Sequence, residues 1–183
     1  MRHLPNLICL IRLLLIWPIA VALHAGHYLS ALALFIAAAI SDGLDGYLAK
    51  RFGWTSELGK FLDPFADKLL LVTVFVQATW LGLVPWWLTA AVVARDVMIG
   101  LGALIYRLWF GPLHGRPTQL SKVNTAAQLV YIVLVMLGAA IGMPPRDLLE
   151  ACALVTFATT ALSGMHYLLM FTRRAWAQPA RPA

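Results

Sequence analysis

Four aspartates, Asp42, Asp45, Asp63 and Asp67, make up half of the eight acidic residues in this 183-residue chain, and all fall within Ser41–Lys68. Asp42 and Asp45 stand three apart, Asp63 and Asp67 four apart. On helices each spacing puts both carboxylates on one face, one turn above the other. The surrounding chain is strongly apolar, where a bare carboxylate is costly. Four converging carboxylates repel one another unless cations hold them, and their oxygens favour hard divalent ions such as Mg²⁺ or Mn²⁺. Four are enough for two ions about 3.5–4 Å apart, an arrangement that clamps a displacement at phosphorus. Gly43, Gly46 and Gly59 interleave with the acids, and missing side chains let a phosphate or nucleotide come close to the backbone. The competing reading is a proton or cation path in a small coupled transporter. The glycines, and acids near span ends rather than at mid-membrane, weigh toward metal-assisted phosphoryl chemistry.

The elements that must position these acids are apolar helices. With 61% hydrophobic residues, the composition exceeds that of an ordinary soluble domain. A transmembrane helix needs about 20 mainly apolar residues. Six candidate spans occur, at about Leu7–Leu23, Leu29–Ala49, Lys60–Leu81, Trp86–Phe110, Ser121–Ile141 and Leu148–Phe171. The expected fold is therefore an all-α integral membrane protein, a six-transmembrane-helix bundle. It forms a single membrane domain over residues 1–177, followed by a disordered tail at 178–183. Arg2, Lys50, Arg51, Lys60, Arg107, Arg116, Lys122, Arg173, Arg174 and Arg181 gather on one side of these spans, and Arg146 alone marks the other. The positive-inside rule then places both termini in the cytoplasm. The net charge of +6 follows from that topology and from anionic headgroups. Cations spread over four segments give a nucleic-acid reading no support.

Several features have bland readings. Residues 1–25 imitate a secretory signal, but Arg12 interrupts the apolar run and five more spans follow, so the segment is expected to stay uncleaved. Cys9 and Cys152 show no metal-ligand spacing and read as packing residues, and the five histidines likewise lack ligand spacing. Trp80, Trp86 and Trp87 mark an interfacial belt. Pro18 and Pro64 can kink or start helices, and Gly111–Thr118 reads as a loop. Ala31, Ala33, Ala37–Ala39 and Gly100–Gly102 are expected to allow close helix approach.

On this topology Asp42 and Asp45 fall at the cytoplasmic end of span two, and Asp63 and Asp67 at the start of the antiparallel span three. The site thus lies just below the cytoplasmic surface. The segment resembles the pattern D-x-x-D-G-x-x-A-R-x8-G-x3-D-x3-D of the CDP-alcohol phosphatidyltransferases. Asp42, Asp45, Gly46, Ala49, Lys50, Gly59, Asp63 and Asp67 keep every interval, and Lys50 stands where the family usually has Arg. A cation is retained there, but a bidentate fork is lost.

The resemblance implies a mechanism and a set of partners. CDP-diacylglycerol would bind with its diphosphate on two Mg²⁺ or Mn²⁺ ions held by Asp42, Asp45, Asp63 and Asp67. Asp42, Gly46, Lys50, Ser56 and Gly59 would line the donor pocket, with Asn6 and Arg12 similar to family positions near the donor. Asp67 would deprotonate the acceptor alcohol, and CMP would leave. Such a protein would sit in a bacterial inner membrane among membrane lipids, with its site facing the cytoplasm, and members of the family are commonly homodimers. Ala94–Ile99 (ARDVMI) and Ser121–Gln128 (SKVNTAAQ) are similar to segments of the CMP-forming, eukaryotic-type cardiolipin synthases. The phosphatidylglycerophosphate synthases carry further cations at the positions of Ala103 and Asn124. The expected acceptor is therefore phosphatidylglycerol, giving cardiolipin, with glycerol 3-phosphate as the alternative. Arg95 and Lys122 are the candidate acceptor-binding cations. Neighbours at i and i+1 diverge on a helix, so Asp96 is expected to be a poor partner for Arg95.

Overall fold

The fold is described from a computed structural model, covering the backbone of residues 4–52, 57–110 and 118–177 and the side chains of 10–41, 66–105, 108–109 and 118–173. Among the described residues there are six helices and no strand: α1 (Leu4–His24), α2 (Tyr28–Phe52), α3 (Glu57–Trp80), α4 (Trp86–Phe110), α5 (Gln119–Ile141) and α6 (Arg146–Ala177). Each expected span falls on one of them. The largest difference is α6, whose 32 residues extend about 48 Å. It begins two residues early, with Asp147 in its first turn, where a carboxylate favours the positive end of the helix dipole. Pro18 lies inside α1 without ending it. The Gly111–Thr118 loop, apart from Thr118, lies outside the described residues.

The α1–α2 and α3–α4 connections are tight because a glycine sits just past each helix end. Gly26 and Gly82 have φ of +73° and +72°, a region that side chains with a Cβ avoid. The His27 amide donates to the Ala22 carbonyl at 2.9 Å and Gly26 to Leu23 at 3.1 Å; Leu83 and Gly82 make the equivalent bonds to Ala78 and Thr79. These are Schellman closures, which satisfy carbonyls that the helix end leaves orphaned.

The helices group into two compact units. The first comprises α1, α2, α3 and Ile132–Pro145. Here α1 packs against both α2 and α3, with Ile19, Leu23, Phe35, Val74 and Phe75 in the core. Of the alanines expected to allow close approach, Ala31 and Ala38 are buried, while Ala33, Ala37 and Ala39 are exposed. A helix of 3.6 residues per turn cannot turn consecutive positions to one neighbour.

The second unit comprises Trp86–Tyr131 and α6, with α4 packed on α6. A Cβ at Gly102 would meet the Phe171 ring at 2.8 Å, whereas one at Gly100 would meet nothing within 4 Å. Only Gly102 therefore serves the close approach. Trp87 and Phe157 stack edge to face, with ring centroids 5.4 Å apart.

Both units present large apolar side chains outward, among them Trp17, Leu14, Trp80, Trp86, Leu108 and Leu154. Water-exposed monomers rarely carry apolar surface on that scale. Trp86–Ile105, Gln119–Ile141 and Arg146–Arg173 are each long and apolar enough to cross a bilayer, and Leu10–His24 and Tyr28–Ser41 are shorter apolar helices. The protein is a membrane protein.

Candidate active site

Within the first unit the backbone carries positions 42 and 45 on α2 and positions 63 and 67 on α3, and α1 packs on both helices. Ala66 and Leu70 are buried on α3, which anchors the turn that presents Asp67. Asp67 itself is 41% exposed, and its Oδ1 accepts a hydrogen bond from Nη1 of Arg12, whose side chain is only 2% exposed. The pair joins α1 to α3 as a salt bridge with an enclosed cation and an open anion.

Asp67 fits a hard divalent cation, being an accessible carboxylate, and oxygen donors of this kind select Mg²⁺ or Mn²⁺. The side chains of Asn6, Asp42, Asp45, Gly46, Lys50, Gly59 and Asp63 lie outside the described residues, as does Ser56 altogether. The resemblance set Arg12 near the donor, but sequence reading did not foresee its ion pair with Asp67. The available signal was a lone arginine inside an apolar run, which has to find an anionic partner.

The second unit holds the other buried arginine. Arg95 on α4 donates from Nη1 to Asp96 Oδ1 at 2.6 Å, and from Nη2 to Ser121 Oγ at 2.7 Å and Ser163 Oγ at 2.6 Å. Its Cζ lies 5.8 Å from the centre of the Tyr167 ring, a cation–π distance. The side chain is 5% exposed, that of Asp96 10%, and Arg95 Nε has no hydrogen-bond partner. The expectation that Asp96 would be a poor partner is thereby corrected. The i, i+1 rule concerns Cβ directions, and a guanidinium on a long stem can fold back to an adjacent carboxylate when burial leaves both without water.

Thr118 caps α5, its Oγ1 accepting from the Ser121 amide at 3.2 Å, and it places the exposed Lys122 in the first turn. Further along, Asn124 Oδ1 accepts from Thr159 and Thr160 at 3.1 and 2.8 Å, and Gln128 Nε2 donates to Thr160 at 3.4 Å. Sequence reading missed this α5–α6 polar seam. Its signal was the run Thr156, Thr159, Thr160, Ser163, with one-turn steps inside an apolar helix. Cys152 is a half-buried free thiol, and Cys9 lies outside the described side chains.

Comparison with known proteins decides the family. The family model for CDP-alcohol phosphatidyltransferase matches residues 2–172. The chain belongs to this family. It is 33% identical to a probable cardiolipin synthase (CMP-forming) of Drosophila melanogaster, the match covering 91% of this chain and 56% of that protein. It is 30% identical to the cardiolipin synthase (CMP-forming) of Rattus norvegicus, covering 90% of this chain and 61% of that one. It is also 30% identical to a CDP-diacylglycerol–glycerol-3-phosphate 3-phosphatidyltransferase of Pseudomonas fluorescens, covering 95% of this chain and 90% of that enzyme. The chain thus spans about three fifths of the length of the cardiolipin synthases it matches. Within the family, α2 and α3 carry the eight-position motif, and Arg12 reaches its last aspartate.

Proposed function

We propose that this protein transfers a phosphatidyl group from CDP-diacylglycerol to an acceptor alcohol with release of CMP, and that the acceptor is phosphatidylglycerol, giving cardiolipin. The observation that carries the reaction class is the set of four motif aspartates, Asp42, Asp45, Asp63 and Asp67, kept at every interval on α2 and α3, with the Asp67 carboxylate part-exposed. The acceptor hydroxyl attacks the phosphorus that bears diacylglycerol. The bond from that phosphorus to the oxygen bridging it to CMP breaks, and CMP keeps the electron pair. Asp67 takes the hydroxyl proton, because an alcohol is a weak nucleophile near neutral pH. Asp42, Asp45, Asp63 and Asp67 would hold two Mg²⁺ or Mn²⁺ ions, which neutralise diphosphate charge and charge developing on the leaving group. Asp42, Gly46, Lys50, Ser56, Gly59 and Asn6 line the donor side in this reading. Six spans with both termini in the cytoplasm would put the site at the inner face of a bacterial cell membrane, where donor and acceptor lipids both present their headgroups.

Charge around Arg95 supports the acceptor assignment. Asp96 offsets the guanidinium charge, Asn124 is neutral, and Lys122, next to Ser121, is a further cation among the described residues. One net positive charge suits a phosphodiester monoanion better than the dianion of glycerol 3-phosphate. Arg95 and Lys122 are the acceptor-binding groups in this reading. A second reading, phosphatidylglycerophosphate synthesis, is favoured by the near full-length match to the Pseudomonas fluorescens enzyme.

The test is CMP release by purified protein with Mg²⁺ or Mn²⁺, CDP-diacylglycerol and either phosphatidylglycerol or glycerol 3-phosphate, with products named by lipid mass spectrometry. Cardiolipin formation is expected. Phosphatidylglycerophosphate without cardiolipin would establish the second reading. Ion flux in liposomes that requires Asp42 or Asp63, with no CMP formed, would point to a transporter instead.

A further inference from the structure

The buried stripe of α1 includes Ile19 and Leu23, and one helical repeat before Ile19 that stripe carries Arg12. Arg12 is the one Lys or Arg in this otherwise apolar helix. Apolar patterning would put an aliphatic residue there, so an enclosed guanidinium calls for a reason beyond packing. It donates to the Asp67 carboxylate, 55 residues away on α3. The pair is asymmetric: the cation is 2% exposed and the carboxylate 41%. The guanidinium approaches from the protein side, while the carboxylate stays open to whatever enters the site.

We propose that Arg12 is a positioning residue for Asp67: a built-in cation that fixes the carboxylate through one oxygen and competes with divalent metal for the acidic cluster. This rests on the reading of Asp67 as proton acceptor and metal ligand. Two physical consequences follow. A carboxylate on a short, rotatable stem acquires one orientation when a rigid planar donor, itself enclosed, holds one of its oxygens. A guanidinium and a divalent cation sharing a carboxylate repel each other, so Arg12 weakens metal binding while partly offsetting mutual repulsion among the four acids. The expected behaviour is a cluster that folds without metal and binds metal less tightly than four carboxylates otherwise would.

The test uses the full chain in detergent, with Arg12→Gln and Arg12→Lys. Mn²⁺ binding is read from the electron paramagnetic resonance of free Mn²⁺ with no lipid substrate present, and kcat and KM for CDP-diacylglycerol are measured separately. Arg12→Gln should bind Mn²⁺ about tenfold more tightly, as removal of a nearby positive charge predicts. It should lose about a hundredfold in kcat with little change in KM, the pattern of a misplaced catalytic group. Arg12→Lys should keep the Mn²⁺ affinity of the unmodified protein and recover only part of kcat, because the charge returns without the planar fork.

A purely structural arginine would lower the melting temperature without tightening Mn²⁺. Unchanged or weaker Mn²⁺ binding in Arg12→Gln would therefore overturn the competition, and full kcat in Arg12→Lys would overturn positioning by the fork. If the Gln variant does not fold, Arg12→Met, which also removes the charge, carries the same Mn²⁺ expectation, and the Lys variant still decides positioning by the fork. Should the unmodified protein release no CMP with any acceptor, the reaction assignment fails, while the Mn²⁺ titration still decides what Arg12 does to the cluster.

Discussion

Arg12 and Arg95 are both enclosed guanidiniums in apolar helices, yet their surroundings dispose of the charge in opposite ways. Arg12 reaches to another helix and pairs with a carboxylate that is 41% exposed. Arg95 turns back on its own neighbour, Asp96, which is itself enclosed, and its other terminal nitrogen is shared between Ser121 on α5 and Ser163 on α6. The first arrangement leaves the anion available for chemistry. The second consumes most of the donors in holding three helices at fixed spacing, with Tyr167 under the guanidinium face. Two enclosed guanidiniums can thus leave their partner carboxylates differently exposed, Asp67 at 41% and Asp96 at 10%.

The sharpest way to break this comparison is to neutralise each partner in turn. Asp67→Asn should reduce CMP release by about 10²–10⁴-fold, the usual contribution of a positioned base, and should also cost stability, because the enclosed Arg12 loses a carboxylate partner. Asp96→Asn should leave turnover within about tenfold while costing about 3–5 kcal/mol, because Arg95 becomes an uncompensated buried charge. Turnover assays and thermal melting in the same detergent read both. The comparison fails if the two variants show the same balance of lost activity and lost stability. Asp96→Asn also raises the net charge beside Lys122, so the ratio of glycerol 3-phosphate to phosphatidylglycerol use should rise in that variant.

A smaller effect tests whether the Arg95 neighbourhood depends on helix spacing. Gly102 lies on the α4 surface that meets Phe171, and an added Cβ would come within 2.8 Å of the ring. Gly102→Ala should therefore cost about 1–3 kcal/mol, as overpacking does. Phe171→Leu should recover part of that loss when combined with it, which a double-mutant cycle measures. Gly100→Ala meets nothing and should be neutral or slightly stabilising through helix propensity.

How much of this was legible beforehand differs between the two regions. The family was legible because its motif has fixed local spacing around the four aspartates, and the helices because apolar length alone sets a span. Arg12–Asp67 was only half legible: the lone arginine was visible in the apolar run, but its partner lies 55 residues away, a distance that no local period encodes. The Arg95 cluster was misread because the i, i+1 rule was applied to a long side chain that burial denies any water. The Thr159–Asn124–Thr160 seam escaped for a different reason, since Thr and Ser in an apolar helix equally often bond their own backbone. Thr156 does so here, donating to the Cys152 carbonyl at 2.8 Å.

The smallest predicted effect probes how Arg95 divides its hydrogen bonds. Ser163 is fully buried on α6 and Ser121 is half-buried on α5, and both accept from the same nitrogen. Ser163→Ala removes an acceptor from an enclosed guanidinium, with no solvent to replace it, and should cost about 1.5–3 kcal/mol. Ser121→Ala sits nearer the start of α5, where water can take over part of the bond, and about 0.5–1.5 kcal/mol is expected. The double variant should lose more than the sum, because each serine can partly serve Nη2 when the other is gone. Additive losses in melting experiments would mean that the two bonds act independently. A loss in turnover larger than the loss in stability would support the acceptor-binding role proposed for this guanidinium.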